Sequence, residues 1–184
     1  MFLGPDKECV EDCKAGWEAN GDHCYFWSIS KAVWDAAEQT CEQQGGHLAS
    51  VTSNATNQYI LSGLTKRGMT EELWIGGTDS KEEGSWEWTD GGAWDFTYWA
   101  PWEPRHTTAL NCLQYYSSSS LNLFNFNPVS EFEWYNANCE AQVRFLCSQK
   151  LCSGGLKYGN FIYNQSFLWK VPKVNRCTLP LPQC

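Results

Sequence analysis

The side chains that could catalyse a reaction are few and scattered. The three histidines, His23, His47 and His106, lie far apart in the sequence. The adjacent carboxylates of Glu82 and Glu83 are typical of a solvated loop. The chain contains no Gly-x-Ser-x-Gly elbow, no glycine-rich phosphate loop and no His-Glu-x-x-His motif. This pattern predicts that the protein is not an enzyme.

A second group of residues is suited to binding. The segment Trp102-Glu103-Pro104-Arg105-His106 brings an indole, a carboxylate, a guanidinium and an imidazole together. Aromatic residues with arginine are typical of protein-binding hot spots and of surfaces on which sugar rings stack. The alternative is that Trp102 packs into the core against an inserted segment at 117–129, because a domain with 11 tryptophans must bury most of them. The sequence favours core packing over binding for this residue.

Length and cysteine content bound the class of protein. A chain of 184 residues allows one domain with a real core and an appendage. Ten cysteines beside two methionines indicate an oxidising compartment. No apolar run approaches the ~20 residues that span a bilayer. We therefore expect a secreted or extracellular protein without a membrane span, with candidate glycosylation sites at Asn54 and Asn164.

The net charge of −8 is unevenly distributed. Residues 1–151 carry nine basic and 21 acidic side chains, whereas residues 152–184 carry four basic side chains and no acid. Such a change in composition indicates a boundary near residue 151. The acidic part would repel phosphates, which argues against a nucleic-acid partner.

The stretch from Leu73 to Asp90 organises the predicted elements. An apolar run ends at two glycines and is followed by a Trp-x-Trp alternation, which predicts two short strands around a tight acidic loop. Ser30 and Ser53 are predicted N-caps of two helices, the second ending near Gly68. The residues expected on the buried helix faces are Val33, Trp34, Ala37, Cys41, Ile60, Leu61 and Leu64.

These motifs resemble the long form of the C-type lectin-like domain family over residues 13–150. The matching elements are the cysteine spacing, Trp74-Ile75-Gly76-Gly77, Glu103-Pro104 and Phe145-Leu146-Cys147. The resemblance implies an α+β fold with two helices flanking twisted antiparallel sheets, a long loop region and disulfide staples. Residues 1–12 would form a leader. Residues 151–184 match no family motif, and their five aromatic side chains predict a basic extension that wraps on the domain.

The family pattern also implies disulfide pairings. The expected bridges are Cys13–Cys24, Cys41–Cys147 and Cys112–Cys139. Cys9, Cys152, Cys177 and Cys184 remain and allow three pairings. Because the first and last strands of this fold run antiparallel, we expect Cys9–Cys152 and Cys177–Cys184. With every cysteine bridged, a catalytic thiol is not expected.

The resemblance also poses a question about calcium. In sugar-binding members, Glu-Pro-Asn or Gln-Pro-Asp, a later acid and Trp-Asn-Asp supply oxygens to the ion. Here those positions are Glu103-Pro104-Arg105, Leu110 and Trp134-Tyr135-Asn136. Calcium takes six to eight oxygen ligands, so the loss of these acids predicts no calcium-bridged sugar site.

An auxiliary calcium site of the family is better preserved. It keeps Asp79 and Glu83, whereas its other positions are His106 and Asn111. We expect at most weak calcium binding there and no other cofactor.

We therefore expect an extracellular, non-enzymatic recognition module that binds a glycan or a protein without the usual calcium bridge. The residues expected to contact ligand are Trp102, Glu103, Arg105, His106, Tyr135 and Asn136. The alternative is a structural or assembly component of an extracellular complex that uses the same fold for protein–protein packing. Ice binding, another use of this fold, is disfavoured because the loop sequence lacks a flat Thr/Ala face.

Overall fold

The computed structural model describes residues 10, 12–117 and 132–152. The chain divides into two compact units, Met1–Ser153 and Gly154–Cys184. The second unit and residues 118–131 lie outside the described residues. What the sequence predicts for most of three segments therefore stays a prediction: the leader, the insertion at 117–129 and the extension at 151–184. So do the expectations for Cys9, Asn164, Cys177 and Cys184.

The described part of the first unit is built from one sheet and two helices. The strands are β1 (Glu18–Asn20), β2 (His23–Ala32), β3 (His47–Leu48), β4 (Leu73–Thr78), β5 (Glu87–Trp88), β6 (Cys112–Ser117), β7 (Phe132–Ala137) and β8 (Val143–Lys150). The helices are α1 (Trp34–Gln43) and α2 (Asn54–Lys66). Among the described residues, no helix has the length and apolar character needed to cross a membrane.

The strands follow the order β1-β2-β8-β4-β6-β7, with β3 paired to β8 and β5 paired to β4. The predicted α+β class with two helices is confirmed. One difference is that β4 and β8 run parallel, through Leu73 opposite Arg144 and Trp74 opposite Phe145. The sheet is therefore mixed rather than purely antiparallel.

Strand β4 is the centre of the core. All six of its residues are buried, because the strand is bordered by β8 and β6. A Cβ on Gly76 would lie 2.5 Å from the Leu48 carbonyl oxygen, and one on Gly77 would lie 2.5 Å from Leu113 Cδ2. Any side chain at either position would clash, which explains the paired glycines. The two short strands predicted around the acidic loop are β4 and β5, and they pair antiparallel.

The predicted start of α2 is confirmed, whereas that of α1 is wrong. Ser53 caps α2, its hydroxyl accepting a hydrogen bond from the Thr56 backbone N–H at 3.2 Å. Ser30 lies within β2, and α1 begins after Val33, which has no capping side chain. The backbone N–H of Trp34 donates instead to the carbonyl of Cys139, at 2.9 Å. A distant loop thus satisfies a helix-end donor that a local cap would otherwise satisfy.

A cluster of aromatic rings lies beneath the long loop region. Trp134 on β7 is fully buried at its centre. The rings whose centroids lie 5.6–6.3 Å from it are Trp88, Trp94, Phe96, Trp99 and Tyr115. The backbone N–H of Trp134 donates to the Tyr98 carbonyl at 2.9 Å, and the Trp134 carbonyl accepts from the backbone N–H of Ala100 at 3.0 Å. The segment that leads into Trp102 is therefore fixed to the sheet.

Three predicted disulfides are confirmed. They are Cys13–Cys24, Cys41–Cys147 and Cys112–Cys139. Cys152 is also disulfide-bonded. The predicted pairing with Cys9 involves a residue outside the described part of the chain and stays a prediction.

Candidate functional site

Trp102 lies at the tip of a turn and is almost entirely exposed. Its relative exposure is 95% and its φ is +70°. The Glu103 N–H donates to the Ala100 carbonyl at 3.1 Å, so residues 100–103 close a β-turn with Pro101 and Trp102 in the middle. Proline followed by a residue of positive φ is the pattern of a type II turn, in which glycine is normally preferred. The expectation that Trp102 packs in the core is wrong, because this turn directs it to solvent.

Glu103 and Arg105 form an ion pair beside this turn. Arg105 Nε donates to Glu103 Oε1 at 3.0 Å, across a cis Glu103–Pro104 peptide bond. The Glu103 side chain is 3% exposed, whereas that of Arg105 is 66% exposed. The carboxylate is therefore turned inward, and the guanidinium presents its remaining N–H groups to solvent.

Asn136 fixes the loop that follows. This buried residue of β7 donates from Nδ2 to the carbonyls of Arg105, at 2.7 Å, and Leu110, at 2.8 Å. Its Oδ1 accepts from the Arg105 N–H at 2.9 Å. All of these bonds stabilise the chain between residues 105 and 110, so the role of Asn136 is to position the loop.

Tyr135 lies on the opposite face of β7 from its neighbours Trp134 and Asn136, because strand side chains alternate. Its ring packs edge-on against Tyr116, with 5.2 Å between the centroids. Burial raises the pKa of the Tyr135 phenol, and the nearby carboxylates of Glu133 and Glu103 raise it further. The hydroxyl therefore stays protonated at neutral pH and can donate a hydrogen bond.

The His106 ring lies beside the acidic loop after β4. A Cβ on Gly84 would lie 4.0 Å from His106 Nδ1. In this loop Asp79 is 2% exposed and its Oδ2 accepts from the Gly84 N–H at 2.9 Å. Asp79 Oδ1 and Asn111 Oδ1 are buried and have no hydrogen-bond partner among the described residues. Glu83 is exposed.

The family model for the lectin C-type domain matches residues 30–149. The chain belongs to the C-type lectin domain family. This C-type lectin domain is 34% identical to the type-2 ice-structuring protein of Hemitripterus americanus, over 74% of each chain. It is 29% identical to the galactose-specific lectin nattectin of Thalassophryne nattereri, over 79% of this chain and 85% of that protein. Among solved structures, a calcium-independent type II antifreeze protein is 29% identical with a TM-score of 0.63, covering 76% of this chain and 95% of its own.

These similarities identify a non-enzymatic domain of the lectin and antifreeze class. The prediction that the protein does not catalyse a reaction is therefore confirmed.

The principal calcium position of the C-type lectin domain is not suited to the ion here. A guanidinium lies 3.0 Å from the one carboxylate, Glu103. The Asn136 oxygen already accepts from a backbone N–H, and its amide nitrogen donates to two carbonyls. Glu103 Oε2 is the one oxygen of this group that is buried without a hydrogen-bond partner among the described residues. One carboxylate beside a guanidinium falls far short of the six to eight oxygens that calcium takes, so these residues do not fit the ion.

The auxiliary position fits calcium in part. The unpartnered oxygens of Asp79 and Asn111 are suitable donors. They fall short of the six to eight oxygens that the ion prefers, and no group of three converging metal-ligating side chains in the described part of the chain includes Asp79 or Glu83.

Two features of this C-type lectin domain were missed by the sequence reasoning. Pro101 before Trp102 is a turn signal, and it could have indicated that the tryptophan is exposed. The loop-anchoring role of Asn136 had no local signal, because its partners Arg105 and Leu110 lie 31 and 26 positions away.

Proposed function

We propose that this C-type lectin domain is an extracellular recognition module that binds a glycan or protein ligand through Trp102, without a bridging calcium ion. Exposure of Trp102 at a positive φ is the observation that carries the proposal. A bulky residue in this conformation costs of order 1–3 kcal/mol. A residue that is both strained and unpacked contributes little to folding, which supports a role in contact with a ligand.

The surroundings of Trp102 suit such a role. The guanidinium of Arg105 is two-thirds exposed, and Tyr135 lies within electrostatic range of both Arg105 and Glu103. The loop and the strand that anchors it thus carry an exposed aromatic ring and side chains that donate hydrogen bonds. Sugar rings and protein hot spots both use this combination of aromatic surface and directed polar groups.

The absence of a calcium bridge is supported by the same geometry. Glu103 forms an ion pair with Arg105, and the Asn136 side chain already donates hydrogen bonds to two backbone carbonyls of the loop. A ligand must therefore be held by direct contacts with the protein. Secretion accords with the three disulfides and with the exposed candidate glycosylation site at Asn54, the first residue of α2.

The test is a glycan array probed with the full chain in calcium and again in excess chelator. The variant Trp102→Gly removes the indole and adopts the positive φ without strain, so it should fold at least as well as the parent chain. Ile29→Ala is the matched control, because Ile29 is a large apolar residue that is 91% exposed on β2.

We expect binding to persist in chelator, to fall by about 30-fold or more in Trp102→Gly, a loss of ~2 kcal/mol, and to be unchanged in Ile29→Ala. Binding that disappears in chelator while Trp102→Gly binds normally would refute the proposal. It would indicate a calcium-bridged site formed by other ligands.

Ice binding is a second candidate function. The similarity to the type-2 ice-structuring protein and to the calcium-independent antifreeze structure supports it. Thr108 and Ala109 are both exposed in the loop that Asn136 holds, although the two residues alone form a small surface. Thermal hysteresis of the purified chain, compared with a Thr108→Lys variant, tests this candidate. No hysteresis in the parent chain would exclude it.

A further inference from the structure

A group of metal-ligating side chains lies away from the Trp102 loop. Glu38 and Glu42 occupy successive turns of α1, and His47 is the first residue of β3. One ligand atom from each of the three lies within 4.8 Å of the other two. Within residues 10, 12–117 and 132–152, this is the one place where three such side chains converge.

The position of each ligand follows from the local fold. Residues four apart on a helix project from the same face, which places Glu38 and Glu42 together. The chain then reverses at Gly45, where φ is +80°, and returns as β3. A Cβ on Gly46 would lie 2.4 Å from the Ser148 carbonyl oxygen, so glycine allows this close return against β8. The turn brings the His47 ring back to the helix face.

The scaffold beneath the cluster is rigid. Cys41, one helical turn after Glu38, is fully buried and bonded to Cys147 on β8. Glu38 Oε1 lies 2.6 Å from His47 Nδ1, and its Oε2 accepts from the Leu48 N–H at 2.8 Å. The Leu48 N–H orients the carboxylate from outside the group, as second-shell donors do in metal sites.

Two independent features point to an exogenous ligand. Glu42 and His47 line a cleft of about 800 Å³, so a bound species can reach them. Ser50 lines the same cleft, and its hydroxyl oxygen is buried without a hydrogen-bond partner among the described residues. Asp90, also in the lining, acts electrostatically on His47. The cleft that Glu42 and His47 line thus carries further oxygen donors.

The donor types select a class of ion. One imidazole and two carboxylates, without a thiolate, suit borderline divalent transition metals better than calcium, which takes oxygen donors. Tetrahedral zinc with bonds of about 2.0–2.1 Å places its ligand atoms roughly 3.3 Å apart. The pair Glu38–His47, now 2.6 Å apart, would open by about 0.7 Å, and Glu42 already lies within 4.8 Å of both.

We propose that Glu38, Glu42 and His47 form a binding site for zinc or a similar divalent transition metal. The ion replaces the proton shared between Glu38 and His47, takes the Glu42 carboxylate as a third ligand and completes its shell with cleft water. Bound metal joins the C-terminal half of α1 to β3. The site is separate in residues and in chemistry from the Trp102 loop, so neither proposal depends on the other.

The experiment is titration of the metal-free full chain with zinc chloride by calorimetry, in excess calcium so that any calcium position is filled. Glu42→Gln is the main variant. The Glu42 side chain is exposed and has no hydrogen-bond or ion-pair partner among the described residues, so the fold should not change. Glu82→Gln is the matched control, the same substitution at an exposed loop position. His47→Gln is a second variant.

We expect one zinc ion per chain and a rise in melting temperature with zinc. Glu42→Gln and His47→Gln should each weaken binding by about tenfold or more, and Glu82→Gln should leave it unchanged. Because His47→Gln also alters a structural hydrogen bond, its melting temperature without metal is measured alongside. Absence of zinc binding, equal affinity in Glu42→Gln and the parent chain, or displacement of zinc by calcium would each overturn the proposal.

Discussion

Asn136→Asp is the substitution that tests the loop geometry most directly. The change is isosteric, but it replaces the Nδ2 group, which donates to the carbonyls of Arg105 and Leu110, with an acceptor oxygen. Two hydrogen bonds are lost, each contributing about 0.5–1.5 kcal/mol, and two carbonyls then face an anion. We expect a loss of about 2–4 kcal/mol in the free energy of unfolding, because partly buried acceptors are left unpaired.

The assay is urea unfolding of both chains in chelator and in calcium. Asn138→Asp is the matched control: Asn138 is exposed two positions away, and its Oδ1, which accepts from the Glu140 N–H, is retained. The control should stay within about 0.5 kcal/mol of the parent chain. An Asn136→Asp chain as stable as the control would refute the anchoring role. A chain that regained stability in calcium alone would show that an acid at this position restores a metal site.

Three further predictions concern the remainder of the domain. Gly63→Ala should lower the free energy of unfolding, measured by urea unfolding, by about 1–3 kcal/mol, because the added Cβ would lie 2.4 Å from Trp27 Cζ2. A variant more stable than the parent chain would contradict this. The hydrogen bond to Glu38 raises the pKa of His47. The stability that this pair contributes is therefore fully present below the ordinary histidine pKa of ~6.5 and is lost as the pH rises through the raised value. In metal-free buffer, the free energy of unfolding of the parent chain should therefore exceed that of His47→Gln by more at acidic than at alkaline pH. The change with pH should be at most about 1 kcal/mol, because the pair is partly exposed. A difference that does not vary with pH would refute the prediction. Removal of 152–184 should lower the melting temperature and the solubility, because it breaks the disulfide of Cys152 and removes the extension that the sequence predicts to wrap on the domain. An unchanged melting temperature would contradict the predicted wrap.

The elements that the sequence predicts well are those set by local chemistry. Ser53 caps α2 because its own hydroxyl reaches a backbone N–H three residues on. Strand β4 was predictable because a buried apolar run ending in two glycines has few other interpretations. The three disulfide pairings were predictable only through the resemblance to the family, because cysteine spacing alone does not fix which cysteines pair.

The elements that escaped prediction depend on distant partners. Ser30 lost its predicted role because β2 continues through it and the Cys139 carbonyl serves the helix end instead. At the candidate site, the sequence identified the residues of the loop, but it did not predict that Trp102 is exposed or that Asn136 anchors the loop. Trp102 is exposed because residues 98–100 are fixed to Trp134 before the turn begins. That contact joins segments more than 30 positions apart, so the local signal of Pro101 could indicate the turn but not the strand to which the turn is fixed.

The pairing of β8 with both β2 and β4 has a consequence for biogenesis. The partners Cys41 and Cys147 are separated by 106 positions, and β2 cannot complete its ladder until β8 has been synthesised. At 5–20 residues per second, Cys41 waits about 5–20 s with a reactive thiol while Cys13 and Cys24, separated by 11 positions, have already emerged. Thiol–disulfide exchange occurs within seconds to hours, so early cross-pairing competes with the native bridge. In an oxidising compartment we therefore expect the yield of native domain to depend on the supply of disulfide isomerase, and a reducing host should give misfolded chains from the same gene.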